Sequence, residues 1–426
     1  MLEKTFKFNS SARLPKAPLS TKSISHKSKP STNQVEPNEN QEKSLTTPSH
    51  RHTRSYGRIP PGAPTPKRTS GSPALTPCRA LLHMHDQLSQ FEYKEITNYK
   101  ELFYLGSGRA PNESSLEDPR GYYQIYLNDH IQYRYQILQI LGQGSFGTVI
   151  KCKDHKTDEL VAIKVLRKLP KITKSGKEEV FFLDLLKPVG DQETCIVEKI
   201  EEFLFRGHFC IVFELLSSNL YDFLKQNHFS GLSTNLARRI TTQILIALKH
   251  SHQKGVVHCD IKPENVVFKQ ENKSGVKLVD FGSAWKSGER GSYIQSRFYR
   301  APEVILERSW DERIDIWSLG CVVVEMVTGW PLFMGEDEPE VFRSMVKVLG
   351  MPDEEYFKGK IKNSKVSVQE LENEFGWTRG KRTEIHDVLA GHDPQMTDFV
   401  NQCLKWNRDQ RLTPEDGLGH AWIRGY

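Results

Sequence analysis

The chain has 426 residues, 37% of them hydrophobic, and a formal net charge of +6. That is enough apolar material for a two-lobed domain with an extension; no apolar run is long enough to cross a bilayer, and Met1 to Leu14 lacks the apolar middle of a signal peptide. Seven cysteines (Cys78, Cys152, Cys195, Cys210, Cys259, Cys321, Cys403) without a C-x-x-C pair argue against a disulfide framework or a zinc site, and the expectation is a soluble protein of the cytoplasm, the nucleus or both.

Residues 1–72 hold 13 Lys/Arg against 4 Asp/Glu, a net of +9, which leaves the remainder at −3. This stretch is poor in aromatics and rich in Ser, Thr, Pro and Lys, so it reads as a disordered basic tail that cannot bury enough surface to fold alone. Arg51-His52-Thr53-Arg54 and Lys67-Arg68 suit nuclear import or an acidic surface, and a solvated, phosphorylatable tail accounts for them equally well. Aromatic residues are not interleaved with these charges, so direct nucleic-acid binding is not expected. Residues 73–107 read as helical, with Leu81, Leu82, Leu88 and Phe91 forming an apolar stripe, and residues 108–121 as a Gly/Pro/Asn/Ser linker.

From Tyr122 to about Leu215, alternating runs, a glycine turn and a single helix predict a small β-rich lobe. Tyr135, Ile137, Leu138, Ile140 and Leu141 lead into Gly142-Gln143-Gly144-Ser145-Phe146-Gly147-Thr148-Val149. Glycine clusters mostly mark ordinary turns, but Val161-Ala162-Ile163-Lys164 follows, a buried strand carrying one lysine. The glycines let backbone amides approach nucleotide phosphates, and Lys164 brings a point charge to the α- and β-phosphates. A buried cation needs a partner. In the helical segment from Lys177 to Leu186 the apolar positions Val180, Leu183 and Leu186 leave Glu179 on another face; Glu178 competes from one position away.

From Leu216 onward amphipathic helices dominate, as in Leu236 to His252 and Ile314 to Thr328. The cleft between the lobes then has Glu214-Leu215-Leu216 as its hinge. Phosphoryl transfer needs groups that orient an alcohol, hold magnesium and neutralise charge on the moving phosphate. His258-Cys259-Asp260-Ile261-Lys262-Pro263-Glu264-Asn265 followed by Asp280-Phe281-Gly282 is similar to the paired signatures of protein kinases, which implies that Asp260 would orient the alcohol and that Asn265 and Asp280 would hold metal.

With those residues in hand, the sequence resembles the dual-specificity tyrosine-regulated kinases, class 2 branch, of the CMGC group of protein kinases. Three features carry the likeness. The catalytic loop reads His-Cys-Asp where most kinases have His-Arg-Asp. Ser292 to Glu303 (Ser-Tyr-Ile-Gln-Ser-Arg-Phe-Tyr-Arg-Ala-Pro-Glu) matches the family's activation segment. Ahead of the kinase lobe, Leu75-Thr76-Pro77, Ala80-Leu81, Leu88, Phe91-Glu92, Glu95-Ile96, Tyr99 and Tyr104-Leu105-Gly106 are similar to the class 2 N-terminal autophosphorylation accessory region, and Gly121-Tyr122-Tyr123 through Asp129-His130-Ile131 to Tyr133-Arg134-Tyr135 to the family homology box. The likeness covers roughly residues 73 to 424. There are two departures: Gly291 stands where the family has its first activation-loop tyrosine, and the loop from Asp280 to Tyr293 is one residue short, with Trp285 where the family often has cysteine.

The resemblance implies an α+β, two-lobed protein kinase fold. An accessory region would span 73–121, the homology box 122–134 and the kinase domain 135–424, with its lobes meeting between 215 and 216. It implies that ATP is held by Leu141, Gly142, Gly144, Ser145, Phe146, Gly147, Val149, Ala162, Lys164, Glu179, Phe213, Glu214, Leu216, Val267 and Val279, and that Mg2+ (Mn2+ in its place) is held by Asn265 and Asp280. Asp260, Lys262 and Asn265 would be catalytic, with Lys262 on the γ-phosphate favouring Ser/Thr over tyrosine-specific chemistry. Tyr293 would be autophosphorylated and its phosphate gripped by Arg297 and Arg300, while Glu303 and Arg411 would form a buried structural ion pair. The reading is a monomeric protein kinase with protein substrates and a proline-directed preference; its rival is an inactive kinase-shaped scaffold.

Overall fold

The computed structural model describes residues 74–107, 116–190, 192–288, 294–357, 366–375 and 384–425. The basic tail, Gly291 and Tyr293 lie outside the described residues. A six-stranded antiparallel sheet forms the first lobe: β1 (His130–Ile131), β2 (Tyr135–Gln143), β3 (Gly147–Asp154), β4 (Leu160–Leu166), β5 (Lys199–Phe205) and β6 (His208–Glu214), in spatial order β1-β2-β3-β4-β6-β5. β3 alternates about its buried positions as a sheet with two unlike faces must, whereas β4 and β6 are buried nearly throughout, because α3 packs against this part of the sheet.

Two short helices come first in the chain, α1 (Pro77–His83) and α2 (Gln90–Glu95), and α3 (Pro170–Leu185) crosses the sheet between β4 and β5. α3 starts seven residues before the expected 177, because Pro170 at its first turn is preset for a helical φ and has no N–H to leave unpaired. These two helices differ from the expected stripe. Pro77 opens α1 and the capping box of Ser89 and Glu92 opens α2, so the chain breaks between them and one 3.6-residue period does not run through both. Ala80, Leu88, Ile96, Leu102 and Leu105 close around Tyr133, while Leu82, expected inside, is 70% exposed.

The second lobe is helical: α4 (Leu220–Gln226), α5 (Thr234–Gln253), α6 (Pro302–Ile305), α7 (Arg313–Thr328) and α8 (Glu338–Leu349), followed by shorter helices down to Arg424. α7 is mostly apolar and buried on all sides from Ile314 to Val327, so it is the lobe's central post. It stops at Gly329, whose φ of +84° only glycine adopts freely and where a Cβ would meet the Phe229 carbonyl at 1.9 Å. Four two- or three-residue strands sit at the junction of the lobes: β7 (Val256–Val257), β8 (Val266–Phe268), β9 (Val276–Leu278) and β10 (Trp285–Lys286), paired β7 with β10 and β8 with β9. Between them run the two loops that carry Asp260 and Asp280. Among the described residues no helix is long and apolar enough to cross a membrane, and all seven cysteines are free.

Candidate active site

Strand register builds the upper wall. Gly142 pairs with Val149, Val149 with Lys164 and Lys164 with Ile211, so the glycine turn, the lysine and the sheet centre share one row. Ala162 lies opposite Phe213 on β6, both buried, and Val149, Val267, Val279 and Leu216 are half-buried beside them. Leu141 is exposed at the mouth, and the Glu214 carboxylate is turned to the backbone N–H of Glu198 and to Lys277. A Cβ at Gly147 would meet the Val165 carbonyl at 2.2 Å, so this glycine is needed for strand approach; at Gly142 and Gly144 it would meet nothing within 4 Å, leaving the loop bare towards open space.

Lys164 donates to Glu179 Oε1 (2.9 Å) and Oε2 (2.8 Å) and to Asp280 Oδ1 (2.9 Å). Glu179 is therefore the partner; Glu178, one position away and turned by about 100° around the helix, pairs with Lys174 at the surface. Burial works against the charge of Lys164, but the carboxylates of Asp280 and Glu179 outweigh it and hold the ammonium protonated; Lys164 in turn holds the Asp280 carboxyl below its ordinary range. Ser175 on α3 donates to the Gly282 carbonyl (3.2 Å), stitching the helix that carries Glu179 to the segment that carries Asp280.

Below, Asp260 sits in a web of donors. Its Oδ1 accepts from the Ser296 hydroxyl (2.7 Å) and amide (3.2 Å), and its Oδ2 from Lys262 (2.6 Å) and the Asn265 amide (3.2 Å). Asn265 Nδ2 also donates to the Asp260 carbonyl at 2.8 Å, which turns its amide oxygen to the opposite edge. His258 Nε2 is 3.0 Å from the Val279 carbonyl, an acceptor only, so the proton is on Nε2, and Nδ1 accepts from the Asp260 amide at 3.1 Å. Both loops carry left-handed non-glycine residues, Cys259 (φ +62°) and Asp280 (φ +64°), conformations that persist only where the surroundings over-determine them. For Cys259 that surrounding is Asp315 of α7, whose carboxylate accepts the amides of His258 (2.8 Å) and Cys259 (2.9 Å).

A carboxamide oxygen and a carboxylate, Asn265 and Asp280, are hard oxygen donors, and they fit a magnesium ion better than any soft metal. The lysine between two carboxylates and the bare glycine loop could receive a polyanion, and the Asp260 carboxylate could accept a hydrogen bond from an alcohol.

The protein kinase domain model matches residues 135–423. The chain is 40% identical over 379 residues to the dual specificity tyrosine-phosphorylation-regulated kinase 4 of Homo sapiens, covering 84% of this chain and 73% of that one. This chain belongs to the dual-specificity tyrosine-phosphorylation-regulated family of protein kinases. It is likewise 40% identical over 373 residues to the probable serine/threonine-protein kinase dyrk2 of Dictyostelium discoideum (82% of this chain, 40% of the other), and 37% identical over 357 residues to the DYRK-family kinase pom1 of Schizosaccharomyces pombe (79% and 33%). It thus spans less than half the length of these last two relatives. Protein kinases as a family use ATP and Mg2+ and act on proteins.

Two residues at this kinase site went unassigned in the sequence. Asp315 was legible in principle, as a carboxylate inside the apolar run from Ile314 to Val324 needs buried donors. Ser296 was not, for a serine among surface-like arginines carries no signal of its own. The arginines near Tyr293 are placed differently from each other. Arg300 is buried, donating to the carbonyls of Ile294 (3.0 Å) and Gln295 (2.9 Å) and to Glu338 (2.5 Å). Arg297 is exposed and donates to the Glu336 carbonyl. Glu303 and Arg411 form a bidentate buried pair, 2.6 Å on each arm.

Proposed function

We propose that this chain is an active kinase that transfers the γ-phosphoryl group of ATP to serine and threonine of protein substrates, with a preference for a following proline, and to its own Tyr293. The observation that carries the reading is the closed Lys164–Glu179–Asp280 arrangement above a fully oriented Asp260. Asp260 accepts the proton of the attacking hydroxyl. Ser296 now occupies its Oδ1 with a hydroxyl group, the kind of donor a substrate alcohol presents. Lys262 lies 2.6 Å from Asp260, in reach of charge developing between nucleophile and phosphate, as suits Ser/Thr chemistry. Asn265 and Asp280 would hold Mg2+, which neutralises phosphate charge when bound; Mn2+ suits the same hard donors. Val149, Ala162, Phe213, Val267 and Val279 would sandwich the purine. Arg297 and Arg300 would grip phosphorylated Tyr293, Arg300 by exchanging its present bond to Glu338 for the phosphate. The free thiols suit a reducing compartment, cytoplasm or nucleus, and a monomer suffices for the chemistry. No observation favours the inactive-scaffold reading, since each charged residue that such a scaffold loses is present and paired.

The test is direct. Full-length protein incubated with Mg2+ and ATP and a Ser-Pro peptide should yield phosphoserine on the peptide and phosphotyrosine at 293 by mass spectrometry. Phosphorylation of a tyrosine peptide alone would make it a tyrosine-specific enzyme, and no transfer at all would leave the scaffold.

A further inference from the structure

The segment ahead of the kinase lobe reaches the glycine turn. Residues 116–124 fold into a tight antiparallel turn: Glu117 bridges Tyr123, Asp118 Oδ1 accepts the amides of Arg120 (2.8 Å) and Tyr122 (2.9 Å), and the Gly121 carbonyl accepts the Lys168 amide (2.8 Å) just past β4. The turn presents the Tyr122 hydroxyl to the Gly144 carbonyl at 2.8 Å. Beside it, Arg167 packs its guanidinium over the Tyr122 ring at 4.7 Å, donates twice to the Arg120 carbonyl (2.9 and 2.6 Å), and sends its remaining arm to the Ser145 carbonyl at 3.0 Å. The Arg167 backbone amide takes the next carbonyl, Phe146, at 3.0 Å.

Three successive peptide planes of the glycine turn are thus held by their oxygens, those of Gly144 and Ser145 by the Tyr122 and Arg167 side chains and that of Phe146 by the Arg167 backbone amide where β3 meets β4. In a planar trans peptide the N–H points opposite the C=O, so these bonds turn the amides of Ser145, Phe146 and Gly147 the other way. The turn borders the cleft, since Phe146 lines a small crevice with Lys164 and Asp280. We propose that Tyr122 and Arg167 are positioning residues for nucleotide phosphates, aligning the three amides before ATP arrives. This rests on reading the glycine turn as the phosphate cradle of an active kinase.

Loss of one such bond leaves the turn free to rotate its peptides, and ATP must then order them. Tyr122→Phe keeps the ring under Arg167 and removes only the hydroxyl; Arg167→Lys keeps the backbone amide and the charge but loses the planar fork that spans Arg120 and Ser145. Affinities of the full chain for Mg2+-ATP and for adenosine, which has no phosphate, are measured by calorimetry, directly or by displacement. The expected result is Mg2+-ATP weakened about fivefold to tenfold in each variant, adenosine unchanged, and KM for ATP raised with kcat nearly constant. Equal weakening of both ligands would mean general damage to the lobe, and no weakening of either would mean the contacts are incidental; both results overturn the inference. If the unsubstituted protein bound neither ligand, the kinase reading itself would fall, a failure visible before any variant is made.

Discussion

Two clusters of buried charge flank the sheet, and they differ in one respect. At the cleft, Lys164 (side chain 15% exposed) joins Glu179 and Asp280, and Asp280 keeps 34% of its side chain exposed. At the seam between α2 and the sheet, Arg206 donates to Glu95 (2.8 Å) and lies 3.5 Å from Glu92, which is itself 2.9 Å from His130; the side chains of Arg206, Glu92 and His130 are exposed by 4%, 2% and 1%. Glu92, Asp129 and His130 group their ligand atoms as a metal site would, yet Arg206 Nη2 is 3.4 Å from His130 Nε2 and already supplies the cation. The seam's charges are spent on one another, and only Glu95 keeps a part, 20%, of its side chain exposed. A buried ion cluster alone therefore says little about chemistry; one whose carboxylate still faces a cleft is poised for a ligand, and one whose charges are spent on each other across a seam joins two pieces of chain.

That contrast predicts unlike responses to substitution. The largest belongs to the cleft: Asp280→Asn should lower turnover at least a hundredfold, roughly the loss from removing one preorganised electrostatic group, with the melting temperature little changed. Lys164→Arg should act likewise, since the fork does not reproduce the lysine's reach. Near-normal turnover in either, at saturating Mg2+, would sink the assignment of the cleft as the active site.

Next come the enclosed charges. Arg411→Leu strands the Glu303 carboxylate and should destabilise the second lobe by about 3–5 kcal/mol, read by denaturant unfolding. Arg206→Ala leaves Glu92 and Glu95 without their cation. Hydrogen exchange should rise across 77–98 while a kinase already phosphorylated on Tyr293 keeps most of its turnover. Deleting 1–110 should go further and yield protein without phosphate on Tyr293, whereas deleting 1–72 should not; equal phosphorylation in both truncations would remove the accessory role.

The smallest effect is a pH response. Burial pushes the Glu92 carboxyl up, but hydrogen bonds from His130 and from the Ser89 amide and hydroxyl outweigh it, and the group is held down at about 2 against an ordinary 4.5. A lowered carboxylate pKa contributes stability that is complete above 4.5 and fades as pH falls through about 2. Exchange in 77–98 should therefore accelerate between those values and accelerate less in Glu92→Gln. A flat profile would mean the seam does not depend on this charge.

Much of the site was readable because its chemistry is local. Asp260, Lys262 and Asn265 lie within six residues and Asp280-Phe281-Gly282 within three, so the backbone alone keeps each group's members close and spacing reports it. The apolar runs of β4 and α7 likewise declare burial through composition. Other features depend on which surfaces meet. Sequence favoured Glu179 only moderately over Glu178, and the packing of α3 turned one to Lys164 and the other to solvent. Leu82 belonged to an apolar stripe until the break before Ser89 turned it outward. Asp315 reaches the catalytic loop across 57 and 56 residues, Arg206 reaches Glu92 across 114, and Tyr122 reaches Gly144 across 22. A hydrogen bond over such distances leaves no periodicity in the chain, because neither partner constrains its sequence neighbours. What the chain determined alone was the order and identity of its reactive groups; tertiary packing decided which carboxylate meets which cation, and which charge is left facing the cleft.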